Sequence, residues 1–439
     1  MQIKLTIKKL LGEKAVSFYH YFSAVIAALY FGYPTKNLVV IGVVGTKGKT
    51  STSNFIWSCL DKAGLKTSMF STANIRIGQK ETLNKFHMTM PSPFIVQKFF
   101  KQTLKEKCVF TIIETTSEGI KQFRHKGIDY DFLIFTNLTP EHLPSHENNF
   151  EKYKETKGKV FGGLTDYPDK HLANRDIKKT IIANIDDTHG SYFLNFKAEK
   201  KFSFSIKNQS DYQAENLQAD DKGTSFFVKG KPYRLNLIGE FNVYNALPSI
   251  VIGDLLNLDY EQVKQGLAGL TALPGRMEKI ALGQNFTVLV DYAHEPRSIE
   301  VALRASRNLV KNNGKLIILL GAEGGGRDKI KRPKMGEIAA KLADAVVVSN
   351  VDPYDDPPAE IIKDIAMAAV QAGKIINQNL FVIEDRREGI KKCFEVAREG
   401  DVVLITGKGA EQSMIIQGNK IPWDDREVVK EELKVLQNN

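Results

Sequence analysis

The sequence predicts an α/β fold: a phosphate-loop domain built on a mostly parallel central sheet, followed by a smaller Rossmann-like α/β domain. Three observations carry that prediction. An apolar strand, Leu38–Ile41, runs directly into the glycine loop Gly42-Val43-Val44-Gly45-Thr46-Lys47-Gly48-Lys49-Thr50, and the loop opens an amphipathic helix. Further short apolar runs follow, each ending in polar residues, as strands do in open α/β sheets. A second series of such runs begins after Leu273-Pro274-Gly275, which reads as a linker.

The first of these elements is a βα unit. Phe55, Ile56, Cys59, Leu60 and Ala63 recur at helical spacing and Gly64 can end the helix, so a nucleotide site is expected at the helix N-terminus. Val109–Ile113 and Phe132–Phe135 are the next strands, placing Glu114 and Thr136-Asn137 at strand ends. Residues 180–238 lose this rhythm and contain alternating runs such as Thr224–Val228, which predicts an antiparallel addition. Asn242–Leu256 returns to helix, and the segment Gly266–Gly275 is expected to link the domains. The second series comprises Thr287–Val290, Leu316–Leu320, Ala345–Val348 and Val402–Ile405. The expected division is 1–37, a short helical region; 38–273, the nucleotide-binding domain; and 274–439, the second α/β domain.

A chain of 439 residues, 42% hydrophobic, is long enough for two or three cores. The net charge of +10 comes from 61 basic and 51 acidic residues without a long single-sign block, which fits an anionic small substrate; basic-aromatic interleaving of the kind that stacks bases is missing, so no nucleic-acid partner is expected. Cys59, Cys108 and Cys393 are too scattered for a disulfide framework and read as buried residues of a reducing, cytoplasmic compartment. At the start, Lys4, Lys8, Lys9 and Lys14 precede Phe18–Tyr30, a run without carboxylate or ammonium until Lys36. That run is shorter than the ~20 residues of a spanning helix. A helix packed on the protein body is expected, with a membrane-surface helix or a protein-partner contact through residues 1–35 as the alternative.

The chemistry-bearing residues begin with the loop. Its glycines expose amide donors, Lys49 can reach terminal phosphates, and the Thr50 hydroxyl can bind magnesium. Glu114, at the end of an apolar strand, calls for a metal or cation partner, and Thr115, Thr116 and Ser117 set hydroxyls beside it. In Thr136–His142 oxygen and nitrogen ligands crowd another strand end. His142 and His146 are four apart, but Pro140 and Pro144 argue against the helix a zinc pair would need; His142 is expected to touch magnesium or phosphate. Lys157, taken by itself, is one lysine on a charged helix. Beyond the linker, Asp291 can accept from ribose hydroxyls or hold a cation, His294 can donate to phosphate, and Arg276 is placed to reach the γ-phosphate when the domains close, excluding water. The loops Gly324–Lys329 and Thr406–Glu411 are candidates for acceptor recognition.

Together these stretches resemble the Mur ligase family, and within it the ligases that add the third residue to a UDP-N-acetylmuramoyl-dipeptide. The resemblance rests on Gly45–Thr50, Glu114-Thr115-Thr116-Ser117, Thr136–His142, Gly239–Asn245, Pro274-Gly275-Arg276-Met277-Glu278 and Asp291-Tyr292-Ala293-His294.

What the resemblance implies is an ATP-dependent carboxylate–amine ligase that joins an amino acid to a muramoyl-peptide cell-wall precursor through an acyl phosphate. It implies ATP and Mg2+ as cofactors. Gly45, Thr46, Lys47, Gly48, Lys49, Thr50 and Ser51 would hold the phosphates, and Asn242, Asn245, Arg276, Asp291 and His294 the rest of the nucleotide. Thr50, Glu114, His142 and a carbamylated Lys157 would ligate the metal, with Lys49, Lys157, His142 and Arg276 as the catalytic set. Thr89, Thr116, Ser117 and Arg124 would meet the muramoyl peptide, and Arg327, Asp352, Tyr354 and Glu411 the incoming amino acid. The protein is expected to be a monomer.

Four departures accompany the resemblance. The first 37 residues are short against the family's N-terminal domain, Lys47 stands where asparagine is usual, and Val351-Asp352-Pro353-Tyr354 lacks the arginine that clamps a diaminopimelate carboxylate. In addition, Ala410 replaces the histidine of the usual Gly-Lys-Gly-His-Glu. The alternatives are a folylpolyglutamate synthase-like ligase and a non-ligating nucleotide-binding partner protein.

Overall fold

A computed structural model describes residues 2–86, 88–141, 143–220, 222–311, 313–326 and 328–438. They form two compact units. The first runs to Gln218 and adds Thr224–Asn236 and Phe241–Leu270; the second holds Ala219–Gly223, Leu237–Glu240 and the chain from Thr271 onward.

The first unit opens with helix α1 (Gln2–Tyr30), broken at Gly12, and a 3-10 turn, Pro34–Asn37. Strand β1 (Val39–Val44) is buried along its whole length, as a strand covered on both faces must be, and leads into α2 (Lys49–Lys62). The chain continues through β2 (Thr67–Phe70), β3 (Asn74–Ile77), β4 (Lys80–Leu83), α3 (Pro93–Lys105), β5 (Phe110–Thr115), α4 (Ser117–Lys121), β6 (Phe132–Phe135) and α5 (Phe150–Gly162). Next come the hairpin β7 (Lys170–Leu172) and β8 (Arg175–Ile177), then β9 (Thr180–Asn184), α6 (Gly190–Leu194), β10 (Lys200–Ser205), β11 (Tyr212–Asp220), β12 (Gly223–Val228), β13 (Lys231–Leu235), α7 (Phe241–Leu255) and α8 (Tyr260–Gly269). Eleven strands make one sheet in the order β13-β12-β11-β10-β9-β6-β1-β5-β2-β3-β4. On one face Val96, Phe99 and Phe100 of α3 and Tyr153, Val160 and Phe161 of α5 join the core with Val40, Val44, Ile113 and Phe135 of the strands. Helices α7 and α8 pack on α2.

Two expectations need correction. Strands β9 and β10 are not part of an antiparallel addition: β9 runs parallel to β6, and β10 parallel to β9. Ile181–Ala183 are fully enclosed and continue the central sheet, while β12 and β13 pair antiparallel. Nor does Gly266 belong to a linker. It lies in α8, where an added Cβ would sit 2.6 Å from the Cα of Cys59 on α2, so its size is what lets the two helices touch.

At the first residues of the central strands, four charges are buried together. Lys170 Nζ donates to the carbonyls of Thr35, Leu38 and Asp129 and to Asp131; Lys179 Nζ donates to Asp129, Asp131 and the Tyr130 carbonyl. Two cations against two anions, with their remaining protons satisfied by carbonyls, is the condition under which buried ions are tolerated.

The second unit is a six-stranded sheet of order β14-β15-β19-β16-β17-β18, from β14 (Glu278–Ile280), β15 (Thr287–Asp291), β16 (Leu316–Leu320), β17 (Ala345–Val348), β18 (Leu380–Val382) and β19 (Val402–Thr406). Its strands are parallel except for the β14–β15 pair. The helices are α9 (Pro296–Arg307), α10 (Lys331–Leu342), α11 (Pro358–Gln371), α12 (Arg386–Val396) and α13 (Asp425–Asn438), and β20 (Ser413–Ile416) with β21 (Asn419–Pro422) forms a hairpin. The fully buried Arg386 guanidinium grips Asp425 at 2.8 and 2.6 Å and also donates to the Asn350 and Thr406 carbonyls, tying α12, α13 and the strand ends together.

Candidate active site

Strand β1 delivers the glycine loop to the N-terminus of α2, where the helix dipole favours an anion. Lys49, the first residue of α2, folds back so that Nζ donates to the Gly45 carbonyl at 3.0 Å and the Thr46 carbonyl at 2.8 Å. Gly48 sits at φ 80°, and an added Cβ would meet Asn245 Oδ1 at 2.3 Å. Position 48 therefore requires glycine twice over, by backbone conformation and by the close approach of α7. Asn245 in turn donates to Asn242 Oδ1 at 3.0 Å, so both asparagines lie at the loop, with Thr46, Thr50 and Ser51 buried in it.

The segment after β6 staples the loop from the other side. Thr46 N donates to the Asn137 carbonyl and Lys47 N to Asn137 Oδ1, both at 2.8 Å; Thr136 Oγ1 donates to the Lys47 carbonyl at 2.7 Å. Lys47 Nζ reaches the buried Glu141 carboxylate at 3.0 Å. His142 lies outside the described residues. His146 is in the 3-10 turn Leu143–His146, buried against the Tyr153 ring, and burial lowers its pKa.

Glu114 is wholly enclosed at the end of β5, in register with Val43 of β1. Its oxygens accept from Thr72 N at 2.9 Å and Thr72 Oγ1 at 2.8 Å, and Thr72 Oγ1 also meets Thr89 Oγ1 at 2.8 Å. Thr116 caps α4 by accepting from Gly119 N at 3.1 Å, Ser117 is buried beside it, and Arg124 turns back onto the Met90 carbonyl and the Met88 sulfur. Thr116, Ser117 and Arg124 thus lie about the α4 turn, while Thr89 meets Thr72 beside Glu114.

Lys157, which taken by itself is one lysine on a charged helix, lies beside the glycine loop. It is buried on the inner side of α5, with Nζ 3.0 Å from the Gly45 carbonyl and 4.6 Å from the Tyr153 ring centre. Burial, and then the neighbouring Lys49 cation, hold its pKa well below the ordinary lysine value, against the pull of Glu141. Among the described residues, three or more His, Cys, Asp or Glu side chains nowhere gather as a metal cage. A magnesium ion still fits, since it prefers one or two carboxylates with phosphate oxygens and water; Glu114 and the Thr50 hydroxyl are hard oxygen donors of that kind.

In the second unit the Arg276 guanidinium stacks on Tyr292 at 4.2 Å from the ring centre. Asp291 accepts from Met277 N at 2.8 Å and Ala293 N at 2.7 Å, holding the Arg276 turn against β15, and His294 Nδ1 pairs with the Tyr292 carbonyl at 2.7 Å. Asp352 and Glu411 share Lys408: the enclosed Nζ lies 2.7 Å from Asp352 and 2.6 Å from Glu411, and Asp352 also accepts from Ile415 N. Burial opposes the Lys408 ammonium, but the two carboxylates outweigh it and its pKa is raised; burial likewise raises that of Glu411. Tyr354, at φ 55°, is fixed by backbone bonds to Ile415 and Gln417. Arg327 lies outside the described residues.

Several participants escaped the sequence reading. Tyr153 OH meets Thr46 Oγ1 at 3.1 Å, Thr72 holds Glu114, and Asp187 accepts from Leu138 N at 2.8 Å. A signal existed for Asp187: Asp186-Asp187 ends the apolar run of β9, as Thr136-Asn137 ends β6.

Residues 43–253 match the Mur ligase middle domain, and residues 275–409 the Mur ligase, glutamate ligase domain. The UDP-N-acetylmuramoyl-L-alanyl-D-glutamate–2,6-diaminopimelate ligase of Geobacillus kaustophilus (strain HTA426) is 35% identical over 416 residues, covering 94% of this chain and 82% of that protein. The UDP-N-acetylmuramyl-tripeptide synthetase of Roseiflexus sp. (strain RS-1) is 34% identical over 410 residues, 92% of this chain and 80% of the relative. Among solved structures, a UDP-N-acetylmuramoyl-L-alanyl-D-glutamate–2,6-diaminopimelate ligase superposes with TM-score 0.61 at 27% identity, over 92% of this chain and 80% of that one. The Mycobacterium tuberculosis folylpolyglutamate synthase, complexed with ADP and AMPPCP, superposes with TM-score 0.68 at 16% identity over 89% and 93%, a likeness of fold.

Proposed function

The chain belongs to the Mur ligase family, as an ATP-dependent acid–amine ligase of peptidoglycan-precursor synthesis, and from that footing we propose that it adds an amino acid to a muramoyl peptide through an acyl phosphate. The observation that carries this reading is the convergence of Lys49 and Lys157 on the Gly45 carbonyl, beside the Asn242–Asn245 pair. A substrate carboxylate oxygen bonds to the γ-phosphorus of ATP as the bond to ADP breaks. The amino nitrogen then bonds to the acyl carbon, phosphate leaves with the electron pair, and the amine gives up a proton. Lys49, Lys47 and the α2 amides bind the phosphates and offset their repulsion of the carboxylate. Asn242, Asn245, Arg276, Asp291 and His294 hold the nucleotide. Thr89, Thr116, Ser117 and Arg124 hold the peptide, and Arg327, Asp352, Tyr354 and Glu411 meet the amino acid.

Magnesium would be held by Thr50, Glu114, His142 and a Lys157 carbamate, and would supply charge neutralisation at the phosphates. The carbamate forms when the neutral Lys157 amine bonds to the carbon of CO2 and releases a proton. Its support is the buried setting that disfavours the ammonium. In the same reading the enzyme works as a cytoplasmic monomer, with residues 1–35 as its contact to a membrane surface or protein partner.

The test is product mass after incubation with ATP, a panel of amino acids, and UDP-linked or lipid-linked muramoyl dipeptide. A mass gain of one residue, with ADP release that depends on the amino acid, supports the reading. Addition of glutamate to a folate would transfer the chain to the folylpolyglutamate class, and nucleotide binding without amino-acid-dependent ADP release would make it a non-ligating partner.

A further inference from the structure

Helix α1 presents two faces of opposite character. Ala24, Ala27 and Ala28 are fully enclosed where α1 lies against α3. Turned away from them, Phe18, Phe22, Ile26 and Leu29, spaced i, i+4, i+8 and i+11, are 65, 42, 52 and 59% exposed, with Tyr19 and Tyr30 at 67 and 76% alongside. Ordinary surface helices put charge on that side, yet between Lys14 and Lys36 the chain carries neither carboxylate, ammonium nor guanidinium. The patch continues onto α3, where Phe94 is 40% exposed and meets Tyr30 and Phe31 at ring distances of 6.3 and 6.5 Å. Single exposed apolar residues need no explanation; a contiguous aromatic and aliphatic stripe does.

We propose that α1 seats this protein on an anionic lipid surface, lying in the plane of the interface with Phe18, Phe22, Ile26, Leu29 and Tyr30 in the acyl boundary. Two features select lipid over a second protein. Lys4, Lys8, Lys9 and Lys14 precede the stripe against the single Glu13, a charge balance complementary to acidic headgroups. The exposed side also mixes tyrosine with phenylalanine and aliphatic residues, the composition of a helix whose rings sit at headgroup depth. From Ala15 to Tyr30 the helix extends about 24 Å, at ~1.5 Å per residue. Among the described residues no helix is long and apolar enough to cross a membrane, so a seat on the surface is the geometry left to α1. The break at Gly12 (φ 72°) separates Lys4, Lys8 and Lys9 from the stripe, so those three and the stripe need not share one axis, while Lys14 lies on the stripe's side of the break.

The seat also has a direction. Tyr21 on α1 meets Phe123 edge to face at 5.6 Å, and the next residue, Arg124, holds the Met90 carbonyl. The lipid-facing helix is therefore packed against the turn that carries the proposed peptide-binding residues.

The inference stands apart from the ligase reading, because its test measures binding alone. Full-length protein is sedimented with vesicles of phosphatidylcholine, with and without phosphatidylglycerol, while nucleotide binding and thermal melting check the fold. Binding to the phosphatidylglycerol vesicles is expected, falling with salt. Phe22→Glu with Ile26→Glu should weaken it at least tenfold, Lys8→Glu with Lys9→Glu about fivefold per lysine on anionic vesicles only, and Phe22→Trp should show blue-shifted, quencher-protected emission on binding. Absence of sedimentation at every composition, or sedimentation unchanged by Phe22→Glu/Ile26→Glu, overturns the proposal. So does a concentration-dependent dimer dispersed by that pair, which would assign the stripe to a second copy.

Discussion

Lys49 and Lys157 donate to the same acceptor, the Gly45 carbonyl, each at 3.0 Å. Burial, and then repulsion from the Lys49 cation, disfavour the ammonium form of the enclosed amine, Lys157. Lys157→Met should abolish bicarbonate-dependent ligase activity while leaving the fold intact. Full activity in that variant would sink the carbamate assignment.

The same variant makes a stability prediction with a definite sign. A lysine whose pKa is lower folded than unfolded binds more protons when unfolded, so its destabilisation is full at low pH and fades as pH rises toward the ordinary value of ~10.4. In CO2-free buffer Lys157→Met should therefore be the more stable protein, by about 1 kcal/mol near neutrality, with the advantage shrinking in alkaline solution. Denaturant melts at three pH values measure it.

Gly48→Ala should disturb the loop more than a surface glycine would. The αL backbone alone costs about 1–2 kcal/mol for alanine, and the methyl group would also press on Asn245. Thermal melting should show a less stable protein, with part of the loss recovered when Asn245→Ala is added. Equal losses with and without that second substitution would leave the backbone as the entire cause.

Lys47 pairs with a nearly enclosed Glu141, so Lys47→Met leaves a carboxylate with its cation removed. A loss of about 1–3 kcal/mol is expected, and Glu141→Gln in the same protein should recover most of it. A double-mutant cycle with zero coupling would show the contact to be idle.

Lys408→Met should be harsher, by about 3–5 kcal/mol. It strands both Asp352 and Glu411 in the second unit. Thermal unfolding that leaves the second unit unchanged would contradict the buried cluster.

Local pattern made much of this molecule legible. The apolar run before Gly42, the glycines, and the helical spacing after Ser51 are contiguous, and they specify β1, the loop and α2 without help from elsewhere. Four strands of the second unit, β15, β16, β17 and β19, were legible for the same reason, being short apolar runs bounded by polar turns, whereas the three-residue β14 and β18 were too short to show such a run. What stayed hidden was nonlocal. Lys157 meets Gly45 across 112 positions and Tyr153 meets Thr46 across 107, and nothing in the sequence around Tyr153-Lys154-Glu155-Thr156-Lys157 tells which side of α5 faces inward. The direction of β9 and β10 was hidden too, since it depends on how the chain returns past α5 and α6.

The buried Lys170 network gives β1 a second meaning. Through the Thr35 and Leu38 carbonyls it clamps the chain where α1 gives way to the sheet, and from there β1 runs as a stiff rod of about 20 Å, at ~3.3 Å per residue, to the phosphate loop. A protein moored by α1 would thus hold its reaction centre at a set height above the mooring, and a substrate whose reactive end hangs at another height would go unserved.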